Sequence, residues 1–244
     1  MRVALTQATG RLESLLPGLR ALGVEVISAP LIATRPLLDD ATRRSAAALL
    51  GLPWRCYPSR SSVEAWAALR LPFADGARLA AVGAGTAAAL VRHGAAGGGT
   101  EAPLTPAPLA STAVGLAAAL LAAGAAGQQV GLVQGRRARP ELAEQLRRGG
   151  AKPRRAVVYE VITLPWRVTG SVDAVVLASP SAVAALPAEV GQQAQLVALG
   201  PTTAAALRER GWSCLQAREP SAAGVLAALA GLTDDSAVVS EECA

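Results

Sequence analysis

The chain repeats itself, and the repeat limits the folds open to it. The first unit starts with the apolar run Val3-Ala4-Leu5-Thr6-Gln7, of strand type. Leucines at helical spacing follow, Leu12, Leu15, Leu16, Leu19 and Leu22, with Gly23 where a helix C-cap belongs. Pro17 marks a late helix start or a kink. Val24-Glu25-Val26-Ile27 reads as the next strand. The second unit starts with Val130-Gly131-Leu132-Val133-Gln134. It continues with a helix from Glu141 to Arg148, whose Leu142 and Leu146 share a face, stops at Gly149-Gly150, and resumes with the strand Ala156-Val157-Val158-Tyr159. The later pieces agree too. Trp54 to Ser59 leads into a helix from Val63 to Leu69. Asp173 to Leu177 leads through Ser179-Pro180-Ser181 into a helix from Ala182 to Leu186. Leu79 to Gly83 precedes Thr86 and an alanine helix; Leu196 to Gly200 precedes Thr202-Thr203 and another. Ser111 to Leu121 corresponds to Ser221 to Leu229.

Strand and helix alternate throughout both units. The pattern predicts the α/β class, with parallel sheets covered by helices on both faces. Two such units predict two similar α/β domains facing each other across a cleft. The Gly-Ala-Pro stretch from Gly94 to Leu109 reads as a loop. The acidic tail after Leu232 lacks periodicity and reads as frayed.

Composition narrows the function classes. Hydrophobic residues make up 52% of 244, so the chain can build a core. Lys and Arg number 23 against 18 Asp and Glu, and Lys152 is the sole lysine. Arginine's planar fork suits carboxylates and phosphates, although GC-rich codon usage accounts for the bias equally well. No run of like charge and no aromatic interleaving points to nucleic acid. Cys56, Cys214 and Cys243 form no C-x-x-C pair, so neither a disulfide framework nor a metal site is expected. The N-terminus lacks the pattern of a signal peptide, and the most apolar stretch, Val114 to Ala126, is too short to span a bilayer. A cytoplasmic protein without membrane contact is the expectation.

Several turns could carry chemistry. Gly83-Ala84-Gly85-Thr86-Ala87-Ala88 follows a strand, opens a helix and fits the G-x-G-x-x-A dinucleotide fingerprint. Its repeat partner, Gly200-Pro201-Thr202-Thr203, lacks the second glycine. What the two share is a tight Gly turn and a Thr at a helix N-terminus, which can hold an anion or serve only as a cap. Ser59-Arg60-Ser61-Ser62 and Ser179-Pro180-Ser181 occupy the other pair of strand-to-helix turns, again as carboxylate ligands or as caps. Arg136, Arg137 and Arg139 follow a strand end, where α/β proteins bind ligands; a solvated basic loop is the plain alternative. Tyr159 ends a strand, either as a proton donor or as a half-buried aromatic. His93, the only histidine, precedes Gly94 at a helix end and supports no triad or metal site.

The ordered set resembles the uroporphyrinogen-III synthase family over about residues 3 to 231. Val3 to Thr6, Gly23-Val24-Glu25-Val26 and Pro30-Leu31-Ile32 resemble its opening. Trp54 to Val63 sits where the family has an apolar strand and a Thr-Ser-x-x-x-Val turn, and Val82-Gly83-x-x-Thr86-Ala87 resembles its first Gly-x-x-Thr turn. Gly135-x-x-x-Arg139-x-x-Leu142 followed by Val158-Tyr159 resembles its middle. Asp173 to Ser181, Gly200-Pro201-Thr202-Thr203-Ala204 and Glu219-Pro220-Ser221 resemble its last third.

The resemblance implies two flavodoxin-like α/β domains joined by a two-stranded linker around the cleft. Residues 1–35 and 165–244 would form one domain, with 36–164 inserted. It implies a monomeric lyase of porphyrin biosynthesis that uses no cofactor or metal and makes a transient contact with hydroxymethylbilane synthase. Its substrate would be hydroxymethylbilane, a linear tetrapyrrole with eight carboxylates. Loss of the terminal hydroxyl, a spiro intermediate and inversion of ring D would give uroporphyrinogen III. Tyr159 would assist loss of the hydroxyl. Thr6, Ser59, Ser61, Thr86, Arg137, Arg139, Ser179, Ser181, Gly200, Pro201, Thr202 and Thr203 would line the substrate.

The departures are Gln7, where the family usually has arginine, and Arg55, Pro58, Arg60 and Ser61. Trp54-Arg55-Cys56-Tyr57 is less apolar than a buried strand is expected to be. A non-catalytic tetrapyrrole-binding or regulatory module of the same fold is therefore the competing function. A nucleotide-binding enzyme using Gly83 and Gly85 is the third.

Overall fold

The computed structural model describes residues 1–7, 16–21, 23–94, 102–107, 110, 112–218 and 222–230. The expected leucine helix therefore lies partly outside the described residues, as do much of the Gly-Ala-Pro stretch and the tail after Leu232.

The chain forms two compact units, Met1–Ala33 with Ile162–Ala244, and Thr34–Val161. In the first, β1 (Arg2–Leu5), β2 (Glu25–Ser28), β8 (Ala174–Leu177), β9 (Gln195–Ala198) and β10 (Leu215–Gln216) form one sheet. Its order is β2-β1-β8-β9-β10, and every pairing is parallel. Numbered within the unit this is 2-1-3-4-5, the flavodoxin order. In the second unit, β4 (Trp54–Tyr57), β5 (Arg78–Ala81), β6 (Gln129–Gly135) and β7 (Lys152–Thr163) stand in the order β7-β6-β4-β5, also parallel.

The sequence repeat equates β6, β7, β4 and β5 with β1, β2, β8 and β9, and the two sheets follow that equation strand for strand. Even the fifth place is matched. Leu104, inside the expected loop, bridges Ala80 and exchanges backbone hydrogen bonds with β5, where the first sheet has β10. The second sheet carries one addition, β3 (Ile32–Pro36), beside β7. Leu31 with Leu164 and Leu37 with Val158 make its backbone bonds, so the two strands run antiparallel.

Both faces of each sheet are buried, as parallel sheets require. Val3 and Leu5 pack with Val176 on one face of the first sheet, against α1 (Leu16–Ala21) and α10 (Ala222–Ala230). Ala4, Val175 and Leu177 pack on the other, against α7 (Pro180–Ala185), α8 (Ala188–Gln193) and α9 (Pro201–Glu209). In the second unit Trp54, Cys56, Val130 and Leu132 meet α5 (Ala113–Leu120) and α6 (Glu141–Arg148). Tyr57 and Val133 meet α2 (Asp40–Ala47), α3 (Arg60–Ala68) and α4 (Ala84–Arg92). No helix among the described residues is long and apolar enough to cross a membrane.

Hydroxyl caps fix several helix starts. α3 begins three residues before the expected Val63, because Ser59 and Ser62 close a reciprocal capping box. α7 begins at Pro180 rather than Ala182, with Ser179 as cap and proline in the first turn, where its missing N–H costs nothing. His93 caps the C-terminus of α4, stacks on Phe73 and bonds Glu64 at 2.9 Å, a structural role.

The unexpectedly polar strand β4 is fully buried, Arg55 included. Arg55 is tied down on every side. It donates to Tyr57 Oη (2.9 Å), Asp75 Oδ2 (2.5 Å) and the Phe73 carbonyl (2.6 Å), and its guanidinium lies 4.7 Å from the Trp66 ring centroid. Burial drives the Tyr57 phenol and the Cys56 thiol upward in pKa, which keeps both neutral. Burial also raises Asp75, but the hydrogen bond and charge of Arg55 outweigh it and hold the carboxyl below its usual range.

A folded-state pKa below the unfolded value adds stability above the ordinary carboxylate range, and this is lost as pH falls through the lowered pKa. Asp75→Asn leaves the Arg55 charge without its partner and is expected to cost about 3–5 kcal/mol in urea unfolding at neutral pH. The deficit relative to the wild type shrinks in acid.

Candidate active site

The polar turns gather at the carboxyl ends of the strands. In the second unit, β4 ends at Tyr57 and hands over to Ser59, the N-cap of α3. Ser59 Oγ lies 3.1 Å from Tyr159 Oη, joining two candidate residues one hundred positions apart. Ser59 Oγ also accepts the Ser62 N–H at 3.1 Å. Donation of its single proton to Tyr159 would leave the phenol proton for a ligand.

Tyr159 is seated by glycine. A Cβ on Gly135 would fall 2.6 Å from two ring atoms and 3.0 Å from Oη. The register of β6 and β7 slips at this point, so Gly135 pairs with Tyr159 instead of Val158. Such a bulge re-aims a side chain. The Tyr159 carbonyl accepts from Arg136 N at 2.8 Å, and Arg155 closes the same corner on the Gly135 and Arg136 carbonyls.

Ser59, Arg139 and Tyr159 line one cavity of about 400 Å³, together with Thr112, Gln134 and Glu141. It opens between the N-termini of α5 and α6, whose positive dipole ends favour an anion, while the Glu141 carboxylate in the first turn of α6 offsets part of that field. Thr112, Gln134 and Glu141 are not among the residues that sequence reasoning selects. The available signal for Gln134 is an amide at the end of an otherwise apolar strand.

The other candidates lie elsewhere. Ser61 contacts the Thr34 hydroxyl at 3.3 Å. Arg136 bonds Glu160, which Arg35 and then Arg136 hold below the usual carboxyl range. Arg137 is exposed and does not line this cavity. Thr86 stands in the first turn of α4, behind the uncapped Gly83, and is 6% exposed. Arg60 Nη2 would lie 3.0 Å from a Cβ on Gly85, so a guanidinium covers the glycine that a dinucleotide would approach. This turn follows β5, not the strand at the sheet's switch point, so the fingerprint lacks its usual setting.

In the first unit, Ser179 accepts the Ala182 N–H at 3.2 Å, and Ser181 and Thr202 are exposed. Gly200 heads α9 with Pro201 in the first turn, and Thr203 is buried. Thr6 is fully buried and donates its hydroxyl to the Val176 carbonyl at 2.8 Å, which ties β1 to β8. A second cavity of about 490 Å³ lies beside β2, between Ile27 and Val168, and contains none of the candidates.

Fold and site together define a two-unit α/β protein with hydroxyl and amide groups at its strand ends. A family model described as uroporphyrinogen-III synthase HemD matches residues 13–227. The chain belongs to the uroporphyrinogen-III synthase family, whose enzymes act in heme biosynthesis. A mutant uroporphyrinogen III synthase from the extremely thermophilic bacterium Thermus thermophilus is similar in fold, with a TM-score of 0.57 at 22% identity, covering 95% of this chain and 97% of that one. The uroporphyrinogen-III synthetase of Helicobacter pylori gives 0.60 at 16% identity, covering 95% and 100%. No curated protein sequence matches.

Gly135→Ala forces the Tyr159 ring away from its seat and is expected to lower turnover about 10- to 100-fold in a single-turnover assay. Ser59→Ala removes both the α3 cap and the Tyr159 partner, and is expected to lower stability by ~1 kcal/mol in urea. Ser59→Thr restores it.

Proposed function

We propose that this chain closes hydroxymethylbilane to uroporphyrinogen III, acting as a cyclising hydro-lyase with Tyr159 as the general acid. The observation that carries the reading is the Ser59–Tyr159 pair at the mouth of a cavity flanked by two helix N-termini and Arg139. Tyr159 gives its proton to the departing hydroxyl, which leaves as water. The cationic azafulvene is then attacked by the substituted position of the last pyrrole. The resulting spiro intermediate fragments and recloses with that ring inverted, and the proton lost on rearomatisation returns to the phenolate. No redox step occurs, so the protein's task is to hold the bilane in one folded shape.

Charge supports this. Residues 34–161 carry sixteen Lys and Arg against eight Asp and Glu, and the rest of the chain seven against ten. The second unit is thus the strongly cationic one and attracts an octacarboxylate. The turns at Thr86 and at Thr202 and Thr203 start helices without a side-chain cap and so offer backbone amides, and the exposed Thr202 and Ser181 offer hydroxyls, for further carboxylates.

The test is a coupled assay in which hydroxymethylbilane is generated in situ and the oxidised products are separated by isomer. A dominant type III isomer is expected, and type I alone from folded protein would sink the reading. Tyr159→Phe is expected to lower kcat about 100-fold. Full turnover and isomer selectivity in that variant would remove Tyr159 as the acid. kcat/KM is expected to fall ~10-fold as ionic strength rises from ~0.01 to ~0.15 M, because the screening length shrinks from about 30 to about 8 Å.

A further inference from the structure

We propose that Gln134 is a substrate-contacting residue that donates its carboxamide N–H to a carboxylate arm of the tetrapyrrole. The inference rests on the synthase reading and adds a named contact to it. Gln134 ends an apolar run in β6, where Val130 and Leu132 point to the α5 and α6 face. By the alternation of a strand it points the same way, toward the N-termini of those helices. It is 5% exposed and lines the cavity with Ser59 and Tyr159. Among the described residues its carboxamide has no hydrogen-bond partner, although no side-chain polar atom fully enclosed by the protein lacks one.

Those two facts are compatible when the small exposed remainder of Gln134 is its polar tip, open to the cavity. An amide at this place offers its N–H to whatever occupies the cavity, whereas leucine in the same strand position would offer nothing. A ligand group that accepts this N–H takes the place of water. Two helix N-termini and Arg139 favour an anion in the cavity and stand against a single lining carboxylate, Glu141. Of the groups on a linear tetrapyrrole, the carboxylates meet that field and accept an amide N–H. A neutral donor also spares the buried strand end the desolvation of a fixed charge.

The test compares the wild type with Gln134→Leu and Gln134→Glu on enzymatically generated hydroxymethylbilane, with thermal melting of each protein. Gln134→Leu is expected to lose about 10- to 100-fold in kcat/KM, as loss of a hydrogen bond to a charged group implies, while its Tm is unchanged or higher. Gln134→Glu keeps the shape but sets a like charge against the arm, so its loss is expected to be larger and to appear mainly in KM. Wild-type kcat/KM in Gln134→Leu would overturn the proposal, as would lost activity with a lowered Tm, which marks a structural amide. Full activity in Gln134→Glu would show that the group needs only an acceptor, as for a pyrrole N–H, and would overturn the carboxylate assignment. Formation of only the type I isomer by the wild type would instead remove the synthase reading itself.

Discussion

A parallel sheet has no face that water can cover, and that constraint organises both units. Each strand must be followed by a helix that returns across one face or the other. Every strand-to-helix turn therefore falls at the carboxyl edge of the sheet. Hydroxyls and free amide N–H groups that cap helices are brought to one edge as a by-product. Ser59, Thr86, Ser179 and Gly200 all stand in such turns. The site is built from residues that the fold needed there anyway.

One strand departs from the apolar rule, and the departure is absorbed locally. Arg55 sits in the middle of β4 without solvent, yet Asp75, Tyr57, two nearby carbonyl groups and the Trp66 ring surround it. These contacts anchor residues 72–75 to the strand that delivers Ser59. The buried ion pair therefore bears on the geometry of the site, although it lies among the core side chains. A strand that reads as too polar for burial is buried with its one charge fully paired.

The centre around Tyr159 combines three kinds of constraint. Glycine at position 135 clears room for the ring, a register slip turns it, and the Ser59 cap supplies its hydroxyl partner. Each is modest alone. Together they hold a phenol at the rim of a cavity toward which two helix dipoles point. The cationic excess of the second unit extends this field beyond the pocket.

The succession of strands and helices along the chain is legible in the sequence because burial on both faces writes nearly continuous apolar runs, and the repeat equates β1 with β6 and β8 with β4; the order of the strands within each sheet comes from the tertiary structure. Helices α3 and α7 start two or three residues ahead of where the apolar period puts them, since the polar capping turn does not share that period. Leu104 reads as loop because one bridging residue leaves no pattern. Residue types alone propose Ser59, Arg139 and Tyr159, but not that they share a cavity, and they leave Gln134 as an ordinary strand residue. The sequence by itself determined the class, the repeat and the polar turns, which depend on periodicity and local chemistry. Only the tertiary structure decided which turn faces which. It paired Ser59 with Tyr159, buried Thr6 on a carbonyl and set Gln134 in the lining of the Tyr159 cavity, because such contacts depend on the register between strands distant in the chain.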